Sequence, residues 1–174
     1  LLAESIPLAR QRPVIVVPKD NPKSIRTVAD LHRDDVRVAL ANPEAASIGR
    51  TVRDLLQQTG EWAALAARVT VFKPTVNDVA NDVRLGSVDA GIVWDATARQ
   101  YPDLVAVTDP RFDAAVETIS VGVLTCSDQP AAALRFARYL GASDKGLEQF
   151  AAAIVSGGPH DISGEDGRSE EHTS

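Results

Sequence analysis

The sequence predicts an α/β protein built on a mostly parallel sheet with helical crossovers. Short β-branched or apolar runs of strand length alternate with stretches whose apolar residues recur at helical spacing. Gly, Pro, Asn and Asp punctuate the junctions between them. A chain of 174 residues, 44% of them hydrophobic, can also bury one large domain or two small lobes.

Taken in order, Val14–Val17 is a continuous β-branched run between Pro13 and Pro18 and reads as a buried strand. Asp20-Asn21-Pro22 makes a turn, and Thr27 followed by Asp30 resembles a capping box opening a short helix, Val28–His32. Val36–Leu40 is the next strand. From Ile48, apolar residues recur at Val52, Leu55 and Leu56 on one helical face until Gly60 ends the element. Trp62, Leu65 and Ala66 form a further helical turn before the strand Val69–Phe72. Val76, Val79 and Val83 mark a helix ending near Gly86, and Ala90–Trp94 is a short buried strand. Val105–Val107 and Thr118–Leu124 read as strands, and Pro130–Leu140 and Asp144–Val155 as helices.

Composition excludes several classes. The longest apolar runs, such as Val14–Val17 and Ala151–Val155, fall far short of the roughly 20 residues that span a bilayer. Cys126 is the single cysteine, so an internal disulfide and a cysteine-based metal cluster are excluded. The formal charge is −6, but residues 161–174 hold five acids and one base, which leaves the body at only −2. A nearly neutral body argues against a large phosphate-backbone footprint and permits capture of a small anion by local dipoles. The start, Leu1-Leu2-Ala3-Glu4-Ser5, has neither an initiator Met nor a basic-then-apolar leader, so the chain is expected to begin inside a longer gene. The end, from Arg168 to Ser174, reads like translated sequencing-adapter sequence and is expected to stand outside the fold.

No Gly-x-Ser-x-Gly, His-Glu-x-x-His or phosphate-loop motif occurs, and His32, His160 and His172 are scattered far from Cys126. A catalytic reading therefore lacks parts, and no enzyme is expected.

Five segments stand in a telling order: Val17-Pro18-Lys19-Asp20-Asn21-Pro22, Val28-Ala29-Asp30-Leu31, Val38 through Glu44, Gly49-Arg50, and Asp89 through Trp94. In that order and spacing, over about residues 8–155, the chain resembles the molybdate-binding proteins of bacterial ABC transporters, which share the type 2 periplasmic-binding fold. The resemblance implies a two-lobe α/β fold with an incomplete first lobe. Residues 1–17 would be part of that lobe and the crossover, 18–110 the complete second lobe, 111–156 the return, and 157–174 a disordered tail, artefactual from 168. It also implies that further ligand contacts belong to a part of the first lobe that this sequence does not hold.

A helix start can hold a tetrahedral oxyanion without charged side chains, because its first amides are unpaired and carry the positive end of the helix dipole. The turn Asn42-Pro43-Glu44-Ala45-Ala46-Ser47-Ile48-Gly49 offers such a start. Ser47 stands where an N-cap would, and Ile48-Gly49-Arg50-Thr51 contains no acid. Ser47 as a plain helix cap and Ser47 with Ile48 as anion donors are both open on residues alone. The resemblance implies an anion contact from the amide of Ile48, where the family commonly has Ala, so that a bulky Ile is expected to narrow the pocket. It implies a second contact from the amide of Val76, with Asp78 partly satisfying that helix start itself. It implies a third from Trp94, where the family has a Tyr hydroxyl and an indole N–H would donate instead; an aromatic packed in the core is the alternative. Arg50 and Asp95 read as an exposed helix cation and a turn-capping acid.

The resemblance therefore implies an extracytoplasmic, monomeric solute-binding protein that captures molybdate or tungstate between its lobes and presents it to a membrane permease, with no other cofactor or metal. A ligand-sensing domain of a one-component transcriptional regulator, or a binder of sulfate, phosphate or another small anion, are the alternatives.

Overall fold

In a computed structural model the structure describes residues 2–142. The helix expected at Asp144–Val155 and the tail from 157 lie outside the described residues. The described residues form two compact units, residues 9–119 and residues 2–8 with 120–142. The division between the units falls inside two strands, β1 (Leu2–Gln11) and β7 (Glu117–Leu124), which pair in a two-stranded sheet.

The larger unit holds a five-stranded sheet in the order β4-β3-β5-β2-β6, made of β2 (Pro13–Pro18), β3 (Val38–Ala41), β4 (Val71–Lys73), β5 (Ala90–Trp94) and β6 (Leu104–Val107). β3 runs parallel to both β4 and β5, joined by helices α1 (Ser47–Gln58), α2 (Trp62–Arg68) and α3 (Val76–Arg84). β2 departs from the parallel expectation. It pairs antiparallel with β5, Val14 opposite Val93, and with β6, Val16 opposite Ala106. The reason lies in the connection: residues 19–37 carry only a 3₁₀ turn, Val28–His32, and return along the edge they left, which leaves the next strand antiparallel. Hydrogen-bonded on both sides, β2 is fixed in this sheet and so in the larger unit.

The β-branched run does what its composition implies. Val14, Ile15, Val16 and Val17 are each 2% exposed or less. Their burial contributes about 1.5–3 kcal/mol per side chain before conformational entropy is set against it. Gly91 and Ile92 show that helices cover both faces of the sheet, because successive strand residues point to opposite sides. A Cβ on Gly91 would lie 2.4 Å from Val79 Cγ1 of α3. Ile92 instead meets Leu40, Ile48, Val52 and Trp62 on the α1 side. A second 3₁₀ turn, Pro110–Ala115, packs on α1 and β2 and buries Phe112.

The Thr27–Asp30 cap forms: the Asp30 carboxylate accepts from the Thr27 amide and hydroxyl and from the Arg26 amide, at 2.9–3.0 Å. In the smaller unit, α5 (Pro130–Ala142) packs on β1, where a Cβ on Gly141 would stand 3.0 Å from Ile6 Cγ2. Ala137 and Leu140 are buried there.

Candidate functional site

Because β3, β4 and β5 are parallel, their carboxyl ends emerge at one edge of the larger unit. Ala41 stands opposite Lys73, and the Asn42 amide donates to the Lys73 carbonyl at 2.7 Å. The parallel register of Val38 with Ala90 and Ala39 with Gly91 brings the end of β5, at Trp94, to the same edge as the end of β3. Neighbouring strands lie about 4.8 Å apart, so the turns after β3 and β4 and the end of β5 adjoin one another. Helices start here with their amides facing outward, which is why open α/β sheets bind ligands outside the carboxyl ends of their strands.

The first turn of α1 is the most open of these starts. The Asn42 carbonyl accepts from Ala45 and Ala46 at 3.0 and 2.9 Å, and its side-chain oxygen accepts from Glu44 at 2.9 Å, which closes the turn. The N-cap is Ala46, in extended geometry with φ −126° and ψ 140°, and no side chain caps the helix. Ser47, expected at the N-cap, is thus the first helical residue and leaves its hydroxyl free of that role. The first turn has no acid, and the amides of Ser47, Ile48 and Gly49 have no hydrogen-bond partner among the described residues.

The Ile48 side chain is 2% exposed and lies in the core with Val52 and Leu56. What Ile48 can offer is its amide, because its side chain packs in the core of this unit. Gly49 has a structural role at the start of α1. A Cβ there would stand 2.5 Å from the Ala41 carbonyl oxygen and 2.7 and 2.8 Å from the Asn42 carbonyl carbon and oxygen. Only glycine lets α1 start this close to the end of β3.

At α3, Thr75 is the N-cap: its hydroxyl accepts from the Asp78 amide at 3.1 Å and donates to the Asp78 carboxylate at 2.6 Å. This leaves the amides of Val76 and Asn77 without a described partner. The Val76 side chain is half-buried against the core. As expected, Asp78 lies in the first turn, and its negative charge weakens that start as an anion site.

Trp94 ends β5 and is the N-cap of the short helix α4 (Asp95–Ala98). It is 6% exposed, so most of the indole belongs to the core of the unit and only an edge reaches the surface. Asp95 acts as a local cap, accepting from the amides of Ala96 at 2.8 Å and Arg12 at 3.3 Å and pairing with Arg99 at 3.4 Å. Arg50 is exposed and has no ion pair among the described residues.

The structure thus gathers Ser47, Ile48, Val76 and Trp94 on one edge as backbone donors beside an aromatic. The carboxylates held below their ordinary value lie at the opposite edge. Asp30 and Asp35 belong to the connection between β2 and β3, where the Arg26 amide and Arg33 are respectively the largest cause. Asp89 precedes β5 and is held low first by the Arg37 guanidinium.

Two contacts escaped the sequence reading. The hydroxyl of Thr51, one turn into α1, is 3.1 Å from the Ser47 carbonyl oxygen and also donates to the Glu117 carboxylate, 66 residues away. Nothing local to either residue signals that pairing. Asp109 is 4% exposed and accepts from the amides of Val28 and Arg111 at 2.8 and 2.9 Å. The Asp-Pro pair that opens the 3₁₀ turn is the signal that could have marked it. Among the described residues no three His, Cys, Asp or Glu side chains form a metal-holding group, and no helix is long and apolar enough to cross a membrane.

The chain is 32% identical over 124 residues to the molybdate-binding protein ModA of Mycobacterium bovis and of Mycobacterium tuberculosis, which covers 71% of this chain and 46% of each relative. It is 24% identical over 148 residues to a putative ABC transporter substrate-binding lipoprotein, YvgL, of Bacillus subtilis, covering 84% of this chain and 56% of that one. The chain therefore spans about half the length of the curated relatives it matches. Among solved structures, the substrate-binding domain of a putative molybdenum ABC transporter from Clostridium difficile superposes with a TM-score of 0.68 at 24% identity, covering 87% of this chain and 66% of that one. The periplasmic molybdate-binding protein of Azotobacter vinelandii gives 0.64 at 19% identity, covering 88% and 68%. Such likenesses show the shared two-lobe binding-protein fold. The family model for bacterial extracellular solute-binding proteins matches residues 1–153, and the chain belongs to that family.

Proposed function

We propose that the chain is part of an extracytoplasmic solute-binding protein that captures molybdate, or the similar tungstate, and delivers it as a monomer to the membrane permease of an ABC transporter. The observation that carries this reading is the uncapped, acid-free first turn of α1, with the open amides of Ser47, Ile48 and Gly49, beside the start of α3 and the end of β5. Converging amides suit a tetrahedral dianion because they supply directed donors and a positive dipole with no titratable side chain in between. The molybdate-binding relatives support the cargo, and membership of an extracellular family favours transport over a transcriptional sensing role.

Selection between molybdate and sulfate would rest on cavity size, since amide donors do not distinguish the two oxyanions. Calorimetric titration of the full-length protein with molybdate, tungstate, sulfate and phosphate tests the reading. Molybdate and tungstate are expected to bind with similar affinity, with sulfate and phosphate far weaker. Sulfate binding as tight as molybdate would remove the selectivity claim, and binding of none of the four would remove the anion reading altogether.

A further inference from the structure

We propose that Glu117 is a positioning residue for the anion-binding turn, and that through it anion binding at α1 is linked to the conformation of β7. The proposal rests on the anion reading given above. It starts from a relay of three residues. The Thr51 hydroxyl has one hydrogen and faces two acceptors, the Ser47 carbonyl at 3.1 Å and the Glu117 carboxylate. Ser47 is the first residue of α1, and its amide is one of the open donors. Glu117 is the first residue of β7, two residues before the chain leaves the larger unit at Ile119.

The start of α1 has few other fastenings. Its N-cap is an alanine without a side-chain bond. Beyond Gly49's close seat on the Ala41–Asn42 backbone and the core packing of Ile48, the Glu117 carboxylate is the one side chain from a distant segment that hydrogen-bonds the first turn and a half among the described residues. Donors that must meet an anion without reorganising have to be held before it arrives, since ordering them on binding subtracts from affinity. Glu117 supplies that hold from the strand on which the chain passes into the other unit.

The carboxylate has a second, opposing effect. Its charge lies beside the amino-terminal half of α1, where it favours the helix dipole and repels an incoming anion. Glu117→Gln separates the two effects, because a glutamine oxygen still accepts from Thr51 while the charge is gone. Linkage is also reciprocal: if β7 steadies the donors, an anion on the donors must steady β7 by the same factor.

The test uses the full-length protein and its Glu117→Ala, Glu117→Gln and Thr51→Val variants, with molybdate calorimetry and amide hydrogen exchange. Glu117→Ala and Thr51→Val are expected to weaken molybdate binding by about five- to tenfold, the double variant no further than either single one. Glu117→Gln is expected to bind as tightly as the parent protein or tighter. Without any ligand, Glu117→Ala should speed exchange at residues 47–50, and the protection that molybdate confers on β7 in the parent should be lost. Unchanged affinity in Glu117→Ala, or equal weakening in Glu117→Gln, overturns the proposal. If the parent protein binds no molybdate, the functional reading falls on its own, and ligand-free exchange at residues 47–50 still decides: no acceleration in Glu117→Ala, nor in Thr51→Val should the former not fold, overturns the positioning role.

Discussion

Gly49→Ala adds one methyl group where α1 meets the end of β3, and the structure sets its cost. The new Cβ would approach the Ala41 oxygen at 2.5 Å and the Asn42 carbonyl carbon and oxygen at 2.7 and 2.8 Å. All three are backbone atoms, so no side chain can rotate away and the start of the helix must shift. Overpacking of this kind costs about 1–3 kcal/mol, and three backbone collisions argue for the top of that range. Alanine's better helix propensity returns about 1 kcal/mol, for a net loss of about 2 kcal/mol. With an unfolding entropy of about 2.1 cal/mol/K per residue over the roughly 110 residues of the larger unit, the melting temperature falls by about 9 °C. Moving the first turn also misaligns the amides of Ser47 and Ile48, and losing half the strength of one charge-assisted hydrogen bond weakens molybdate binding about tenfold. Thermal unfolding followed by circular dichroism and calorimetric titration measure the two effects. A melting temperature within about 2 °C of the parent, together with unchanged affinity, would refute the argument that Gly49 sets the helix on the strand.

Trp94→Phe keeps most of the buried ring volume and removes the indole N–H, so affinity for molybdate should fall by about tenfold or more while stability changes by less than about 1.5 kcal/mol. Equal affinity would assign Trp94 to the core alone. Asp89, with its pKa held low by the Arg37 side chain and amide, stabilises the fold fully above its unfolded value near about 3.9 and loses that contribution as pH falls through the lower folded value. Asp89→Asn should therefore lower the urea midpoint at pH 7 and flatten the acid limb of a stability-versus-pH curve; an unchanged acid limb would contradict the assignment. Asp109→Ala strips the buried acceptor from the amides of Val28 and Arg111 and should cost about 2–4 kcal/mol by urea denaturation, a loss below about 1 kcal/mol being the contrary result.

The elements that could be read from the sequence are those whose signal is local. The buried run of β2, the spacing of Ile48, Val52 and Leu56 in α1, and the apolar block of β5 each matched their observed spans to within a few residues. β1 went unread because Leu2–Gln11 mixes Glu4, Ser5 and Arg10 with apolar residues in no strand pattern, and its pairing partner β7 lies more than 100 residues away. The antiparallel sense of β2 was hidden for a similar reason, since direction depends on the path of the connection at residues 19–37 and not on the strand itself. At the candidate site, helix starts could be located from turn residues, but a shift of one position moved the cap from Ser47 to Ala46 and turned Ser47 into a donor of its amide. The inward packing of Ile48, the seat of Gly49 and the grip of Glu117 on Thr51 are tertiary facts with no local trace.

Open amides at the carboxyl edge of β3 and β4 are proposed to hold the anion. Amide chemical shifts of the ¹⁵N-labelled full-length protein, followed through a molybdate titration, test it most directly. The amides of Ser47, Ile48, Gly49 and Val76, with the Trp94 indole N–H, are expected to move most and to saturate together at one anion per protein. Saturation with these signals unmoved, and the shifts concentrated elsewhere, would contradict it.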